Sequence, residues 1–189
     1  SVYGNVKGKI EDGSCPDPAS VYAQTKLTAE TIVSQFKGIG ISLQYFNPIG
    51  SNDSGLFNDE QPVEKATNIM PILLQCMRGE RCSMNIYGTD YNTHDGTAIR
   101  DYIHVEDVAR AHIKALDLKL PAVLQIGTGV GVTVRQLIES FCRANDVKIV
   151  AKNSTRRDGD VEILIANDSG MKILGIRCEK TLDEMTKIH

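Results

Sequence analysis

The spacing of apolar and polar positions changes period several times along the chain, and each change marks an element. After Ser20, a natural N-cap, Ile32, Val33 and Phe36 fall on one side of a 3.6-residue repeat, which predicts a helix from Val21 to about Phe36. Gly38 and Gly40 end it, and the run Ile41–Phe46 reads as a short buried strand. Further on, the pattern predicts a helix at about Ile69–Arg78, a strand at Met84–Tyr87, a loop from Gly88 to Ala98 and a strand at Ile99–Ile103. Helix Val105–Leu116, strand Val123–Ile126 and helix Val134–Asn145, capped by Thr133, continue the alternation. The tail predicts a strand near Val147–Ala151, an extended piece at Glu162–Ile165 and two short helices beginning near Asp168 and Thr181. At the front, Val2-Tyr3-Gly4 reads as the end of a strand, and residues 5–19 as a surface connection rich in Gly, Pro, Asp and Ser. Residues 47–67 form a polar loop longer than an ordinary connection, which points to binding. Helices alternating with strands predict an α/β fold with a parallel sheet.

Composition narrows the function class. Of 189 residues 41% are hydrophobic, enough for a real core, and the formal charge of −3 gives no footprint for nucleic acid or a polybasic membrane patch. No apolar run approaches the ~20 residues that span a bilayer, and no signal peptide is visible at the start. The five cysteines (Cys15, Cys76, Cys82, Cys142 and Cys178) are odd in number and lack zinc-site spacing, so they read as free thiols of a cytoplasmic protein.

Four segments carry candidate chemistry. Tyr22 and Lys26, four apart, share a helix face; an ammonium beside a phenol stabilises the phenolate and suits it to general-base work, although a surface pair can share a face by chance. In Tyr45-Phe46-Asn47-Pro48 a buried strand runs out into a loop, where open α/β sheets collect ligands, and Asn47 either offers its amide to one or starts a turn. Arg100 stands at the start of a strand with a planar fork of donors suited to phosphate; His94 and His104 lack the partners of a metal site, and His104 reads as the residue that starts the next helix. Arg156-Arg157-Asp158-Gly159-Asp160 places paired arginines on a loop that either grips a diphosphate or is simply solvated. The run Gly127-Thr128-Gly129-Val130-Gly131 has the look of a phosphate cradle, but no acidic residue follows at dinucleotide spacing, and it reads as a structural turn.

Taken in order, Tyr22-x-x-x-Lys26, Tyr45-Phe46-Asn47-Pro48, Asn68-Ile69-Met70-Pro71, Gly88-Thr89-Asp90-Tyr91, Asp95-Gly96-Thr97 through Arg100-Asp101-Tyr102-Ile103-His104-Val105, Gly127-Thr128-Gly129 and Arg156-Arg157-x-Gly159-Asp160 resemble the UDP-glucose 4-epimerases of the extended short-chain dehydrogenase/reductase superfamily. The Tyr-x-x-x-Lys element marks only the superfamily; the Asp-Gly-Thr to His-Val stretch is much more specific. The resemblance implies the C-terminal part of a Rossmann-like doubly wound sheet plus a smaller α/β substrate-binding domain. Residues 1–50 would be the remainder of the NAD-binding part and residues 51–189 mainly the UDP-sugar-binding part, with about 99–127 returning to the first. It implies NAD as cofactor, UDP-glucose and UDP-galactose as substrates, and a homodimer in the full-length protein. By position, it makes Tyr22 the catalytic base and Lys26 its electrostatic partner and ribose ligand, and puts Tyr45 and Phe46 near the nicotinamide. Asn47 and Asn68 would hold the sugar or its phosphates, and Asn85, Ile86 and Tyr87 would line the uracil. Arg100 and Arg157 would bind the diphosphate, with Tyr102 and Asp160 beside them.

Departures from the family pattern set further expectations. The Gly-rich strand–turn–helix that receives the NAD diphosphate is not found, and the family's catalytic Ser or Thr falls just before Ser1, so the chain reads as a piece lacking the cofactor-binding front and inactive alone. Gln44 and Ala23 replace an Arg and a Gly common in the family. Leu164, at the position that lies against the sugar, is intermediate in size and implies a preference for the unacetylated sugar pair. Sister nucleotide-sugar dehydratases or decarboxylases, and a non-catalytic UDP-sugar-binding remnant, are the alternatives.

Overall fold

The computed structural model describes residues 2–4, 8–11, 13–52, 54 and 61–188. Strand β5 (Ile99–His104) organises it. In parallel with β5 lie β3 (Asn47–Ile49) on one edge and β9 (Ile163–Ile165) on the other, and β9 carries the two-residue β1 (Gly8–Lys9). Antiparallel β7 (Gly131–Thr133) also pairs with β5. Two further parallel pairs flank this sheet: β2 (Ile41–Tyr45) with β6 (Ala122–Ile126), and β4 (Met84–Tyr87) with β8 (Ala151–Ser154).

Successive side chains of a strand point to opposite faces. On β5 this makes one strand a wall between two cores: Tyr102 packs with Met70, Leu73, Ile86 and Phe141, while Ile103 packs with Ala111, Leu124, Ile126 and Met171. The first core is closed by α2 (Ile69–Met77) and α4 (Val134–Ala144), the second by α3 (Val105–Ala115) and α5 (Ser169–Ile173).

The predicted caps hold. Ser20 Oγ accepts from the Ala23 N–H at 3.1 Å and starts α1 (Val21–Ser34); Thr133 and Gln136 form a reciprocal capping box at the start of α4; His104 Nδ1 accepts from the Glu106 N–H and starts α3. Thr181 and Glu184 form a second capping box on the last helix, α6 (Leu182–Thr186). That helix is tied to α4 by Asp183, which accepts from Ser140 at 2.6 Å and from two nitrogens of Arg143.

Several expectations are corrected. Val2-Tyr3-Gly4 is a turn, closed by the Asp17 N–H donating to the Val2 carbonyl, and not the end of a strand. The connection at 5–19 contains β1, and Ile10 after it is fully buried. The strand expected near Val147–Ala151 begins only at Ala151, because β4 sets its register from the Met84–Ala151 pair onward; Val147 and Ile149 pack against the core without entering a ladder. The loop expected from residue 47 starts as β3. Helix α1 stops at Ser34, two residues short of the expected end; Ile32 on it and Phe36 just beyond it are 66% and 65% exposed, and Ala23 is the helix's buried residue. All five cysteines are free thiols, as expected. Ser1 and the loop residues 53 and 55–60 fall outside the described residues. Among the described residues no helix is long and apolar enough to cross a membrane.

Candidate active site

The chain changes sheets between Tyr45 and Asn47. Up to Tyr45 it pairs with β6; Phe46 donates its N–H to the Ile126 carbonyl, and from Asn47 on it pairs with β5, Asn47 opposite Tyr102. A strand that leaves one partner for another opens a crevice at the switch, and ligands of open α/β sheets settle in such crevices. Here the crevice is a cavity of about 860 Å³.

Ten of the residues expected at the site line this cavity: Tyr22 and Lys26 from α1; Tyr45, Phe46 and Asn47 at the switch; Asn68 before α2; Arg100 and Tyr102 from β5; Asp160 and Leu164 from the segment leading into and along β9. Residues 138 positions apart thus share one space, because β5 pairs with β3 on one side and β9 on the other. The Lys26 ammonium lies 5.2 Å from the centroid of the Tyr22 ring, which is 62% exposed. Arg100 donates to the Asp160 carboxylate at 2.8 Å and to the Ile99 carbonyl at 2.8 Å, so its guanidinium is held within the protein. Leu164 is the ladder partner of Arg100. Tyr102 is 3% exposed, and burial pushes its phenol well above the ordinary range, which keeps it protonated.

Asn85, Ile86, Tyr87 and Arg157 do not line the cavity, though Asn85, Tyr87 and Arg157 meet one another and Arg157 is joined by a short turn to Asp160, which does line it. The Arg157 guanidinium sits 3.9 Å from the Tyr87 ring centroid, and hydrogen bonds from Asn85 and then Arg157 pull the Tyr87 phenol below its ordinary range. The turn that joins Arg157 to Asp160 is closed by the Asp160 N–H donating to the Arg157 carbonyl. Ile86 points the other way: its side chain is 1% exposed in the first core.

The glycine turn at 127–129 is the structural turn expected, for a specific reason. The Asp101 carboxylate fills it, accepting from the N–H groups of Thr128 and Gly129 at 2.9 Å each, from the Thr128 hydroxyl at 2.7 Å and from the Ala166 N–H at 3.1 Å. A Cβ on Gly127 would lie 2.7 Å from a carboxylate oxygen of Asp101. An internal anion thus occupies the cradle. Burial pushes the Asp101 carboxyl up from its ordinary value, with these hydrogen bonds opposing the shift.

Two features were not read from the sequence. Tyr3 donates to Gln44 at 2.9 Å and Gln44 to Glu30 at 2.6 Å, a polar chain along the cavity wall where the family commonly has an Arg. Arg156 stacks on Tyr91 at 4.0 Å and binds Asp90 at 2.8 Å. Neither leaves a local signal, since each joins segments far apart in sequence.

Known proteins are similar to this chain in sequence and in fold. The UDP-glucose 4-epimerase of Drosophila melanogaster is 38% identical over 98% of this chain and 57% of its own. A crystal structure of UDP-glucose-4-epimerase from Stenotrophomonas maltophila with bound NAD and formylated UDP-arabinopyranose superposes with a TM-score of 0.91 at 34% identity, covering 98% of this chain and 58% of that one. The Bifidobacterium longum enzyme in complex with NAD+ and UDP gives 0.90 at 33%, covering 99% and 59%. The chain therefore spans somewhat more than half the length of these relatives. Residues 1–127 match the model of the NAD dependent epimerase/dehydratase family, with the Tyr-x-x-x-Lys pair and the sheet switch inside the match, and the chain belongs to that family.

Proposed function

We propose that this chain carries the proton-transfer pair and the nucleotide-sugar site of an NAD-dependent 4-epimerase that interconverts UDP-galactose and UDP-glucose. The observation that supports it best is one cavity lined by both a phenol–ammonium pair and an arginine held by an ion pair. In this reading Arg100 and Arg157 bind the diphosphate, Asp160 and Tyr102 lie beside it, Asn47 and Asn68 hold the sugar or its phosphates, and Asn85, Tyr87 and the Ile86 backbone meet the uracil.

Tyr22 and Lys26, with Tyr45 and Phe46, fit the reacting end of NAD: a cation and three aromatic rings line the same cavity wall. The turn at 127–129 does not fit its diphosphate, because Asp101 fills it. The part of the relatives' length that this chain does not span is where the rest of the dinucleotide site belongs. When bound, NAD supplies a reversible hydride acceptor for C4 of the sugar. Tyr22 as phenolate takes the proton of the 4-hydroxyl as a ketone forms at C4, with Lys26 stabilising the phenolate. The 4-keto sugar turns over while the nucleotide stays gripped, and Tyr22 returns the proton to oxygen as the carbon is reduced on its opposite face. Residues 1–50 and about 99–127 form the cofactor side and the rest the substrate side. The open apolar positions Ile32 on α1 and Phe36 just after it are where a homodimer of the complete protein would pair. Leu164 leaves intermediate room beside the sugar, which favours the unacetylated pair.

The protein expressed from its complete coding sequence and supplied with NAD tests this directly. Conversion of UDP-galactose to UDP-glucose that is lost in Tyr22→Phe supports the reading. Binding of UDP without conversion would leave a nucleotide-sugar-binding protein instead.

A further inference from the structure

The helix that carries Tyr22 and Lys26 is held to the rest of the protein by little apolar contact. Ala23 is the one buried residue of α1, and Ile32 is open to solvent. Packing of an apolar face is the usual anchor of a helix, so a helix without one depends on other contacts. Two contacts with β2 and the residue before it serve here. At its C-terminal end α1 rests on Gly40, where a Cβ would overlap the Val33 carbonyl oxygen. Three residues earlier in the helix, Glu30 accepts from the Gln44 side chain at 2.6 Å, and Gln44 in turn accepts from the Tyr3 hydroxyl at 2.9 Å.

The chemistry of these two bonds admits few residues at their centre. An ionised carboxylate only accepts, so Gln44 turns its NH₂ to Glu30 and its carbonyl oxygen to the Tyr3 hydroxyl. Arg has no acceptor for the Tyr3 proton, ionised Glu has no donor for Glu30, and Leu has neither. Tyr3, Glu30 and Gln44 all line the cavity that Tyr22 and Lys26 line. Tyr22, Lys26 and Glu30 follow one another at four-residue steps along one face of α1. At ~1.5 Å per residue Tyr22 lies about 12 Å from Glu30 along the axis, so a tilt of about 5° at Glu30 carries the Tyr22 end by about 1 Å.

We propose that Gln44 is a positioning residue for the proton-transfer pair: its amide, bonded to Tyr3 and Glu30, fixes α1 against β2 and with it the place of Tyr22 and Lys26 in the cavity. The inference rests on the proposed epimerase reading and deepens it. A displacement of about 1 Å at a reacting group costs up to roughly 100-fold in rate. Nucleotide binding falls, in that reading, to Arg100, Arg157 and Asp160, none of which α1 carries. Loss of the Gln44 bonds should therefore act on turnover and spare the nucleotide.

The test uses protein made from the complete coding sequence and supplied with NAD. Gln44→Leu removes both bonds at similar side-chain size. Its kcat for UDP-galactose should fall roughly 10- to 100-fold, with the dissociation constant for UDP within about twofold. Because Gln44 acts through Tyr22, adding Gln44→Leu to Tyr22→Phe should lower kcat little further, whereas independent losses would multiply. Exchanging the two groups separates bonding from folding. Gln44→Glu alone sets two carboxylates together and should lose turnover. Gln44→Glu combined with Glu30→Gln again faces a donor with an acceptor, keeps an acceptor for Tyr3, and should recover most of kcat. Unchanged kcat in Gln44→Leu overturns the proposal. So does a failure of the exchange to recover kcat, or a UDP affinity that falls as far as kcat does. If the unaltered protein does not convert UDP-galactose, the epimerase reading falls and this inference with it; if it converts and Gln44→Leu converts equally, only this inference falls.

Discussion

Arg100 and Asp160, 60 positions apart, meet at 2.8 Å because β5 and β9 run parallel with Arg100 opposite Leu164. The ion pair fixes the guanidinium of a residue that lines the cavity, and in the proposed reading its remaining donors meet a diphosphate. Arg100→Ala should weaken UDP binding by roughly 10- to 100-fold, the worth of a charge-assisted hydrogen-bond pair. Arg100→Lys should recover only part of this, since an ammonium lacks the planar fork. Titration with UDP measures both.

Tyr22 has a different role in the proposed reading and should affect a different constant. In the proposed mechanism Tyr22→Phe lowers kcat by roughly 10²–10⁴-fold, the usual worth of a general base, and leaves the dissociation constant for UDP unchanged. Equal losses in UDP affinity and kcat would place Tyr22 in binding and not in proton transfer.

Asp101 sits between Arg100 and Tyr102 in sequence but does not line the cavity with them; its carboxylate fills the turn at 127–129 and accepts from the Ala166 N–H. Asp101→Asn turns an amide NH₂ toward donors and strands at least one of them, at a cost of about 1–3 kcal/mol in stability. A lowered midpoint in denaturant, with the slope unchanged, is the expected result.

Asp183 gives a pH signature. Hydrogen bonds from Arg143 and then Ser140 pull its carboxyl from 3.8 down to about 2. A folded-state value below the unfolded one means the contribution is present above pH ~4 and is lost as pH falls toward 2. Melting temperature should therefore fall over that window, and Asp183→Asn should flatten this part of the profile. The effect is modest, because both side chains are partly exposed.

In the proposed site Leu164, which lines the cavity, bears on substrate choice. Replacing it with Ala should raise kcat/KM for UDP-N-acetylhexosamines relative to the unacetylated sugars by roughly tenfold, the scale on which pocket volume discriminates. Unchanged ratios would place the sugar elsewhere.

Much was legible in the sequence because it is local. Caps at Ser20, Thr133 and His104 act within three residues, and the helices they start follow the 3.6-residue pattern. The motif order from Tyr22 to Asp160 identified the family, since motif identity needs no coordinates. What the pattern could not supply was pairing. The register that starts β8 at Ala151 belongs to β4, and the exposure of Ile32 and Phe36 depends on what packs against them. The carboxylate in the glycine turn, the inward turn of Ile86 and the bonds of Gln44 to Tyr3 and Glu30 arise between segments distant in the chain. Side-chain periodicity thus determined which residues form elements and which family they spell. Only the tertiary structure decided which polar groups meet, because hydrogen bonding and burial depend on neighbours in space.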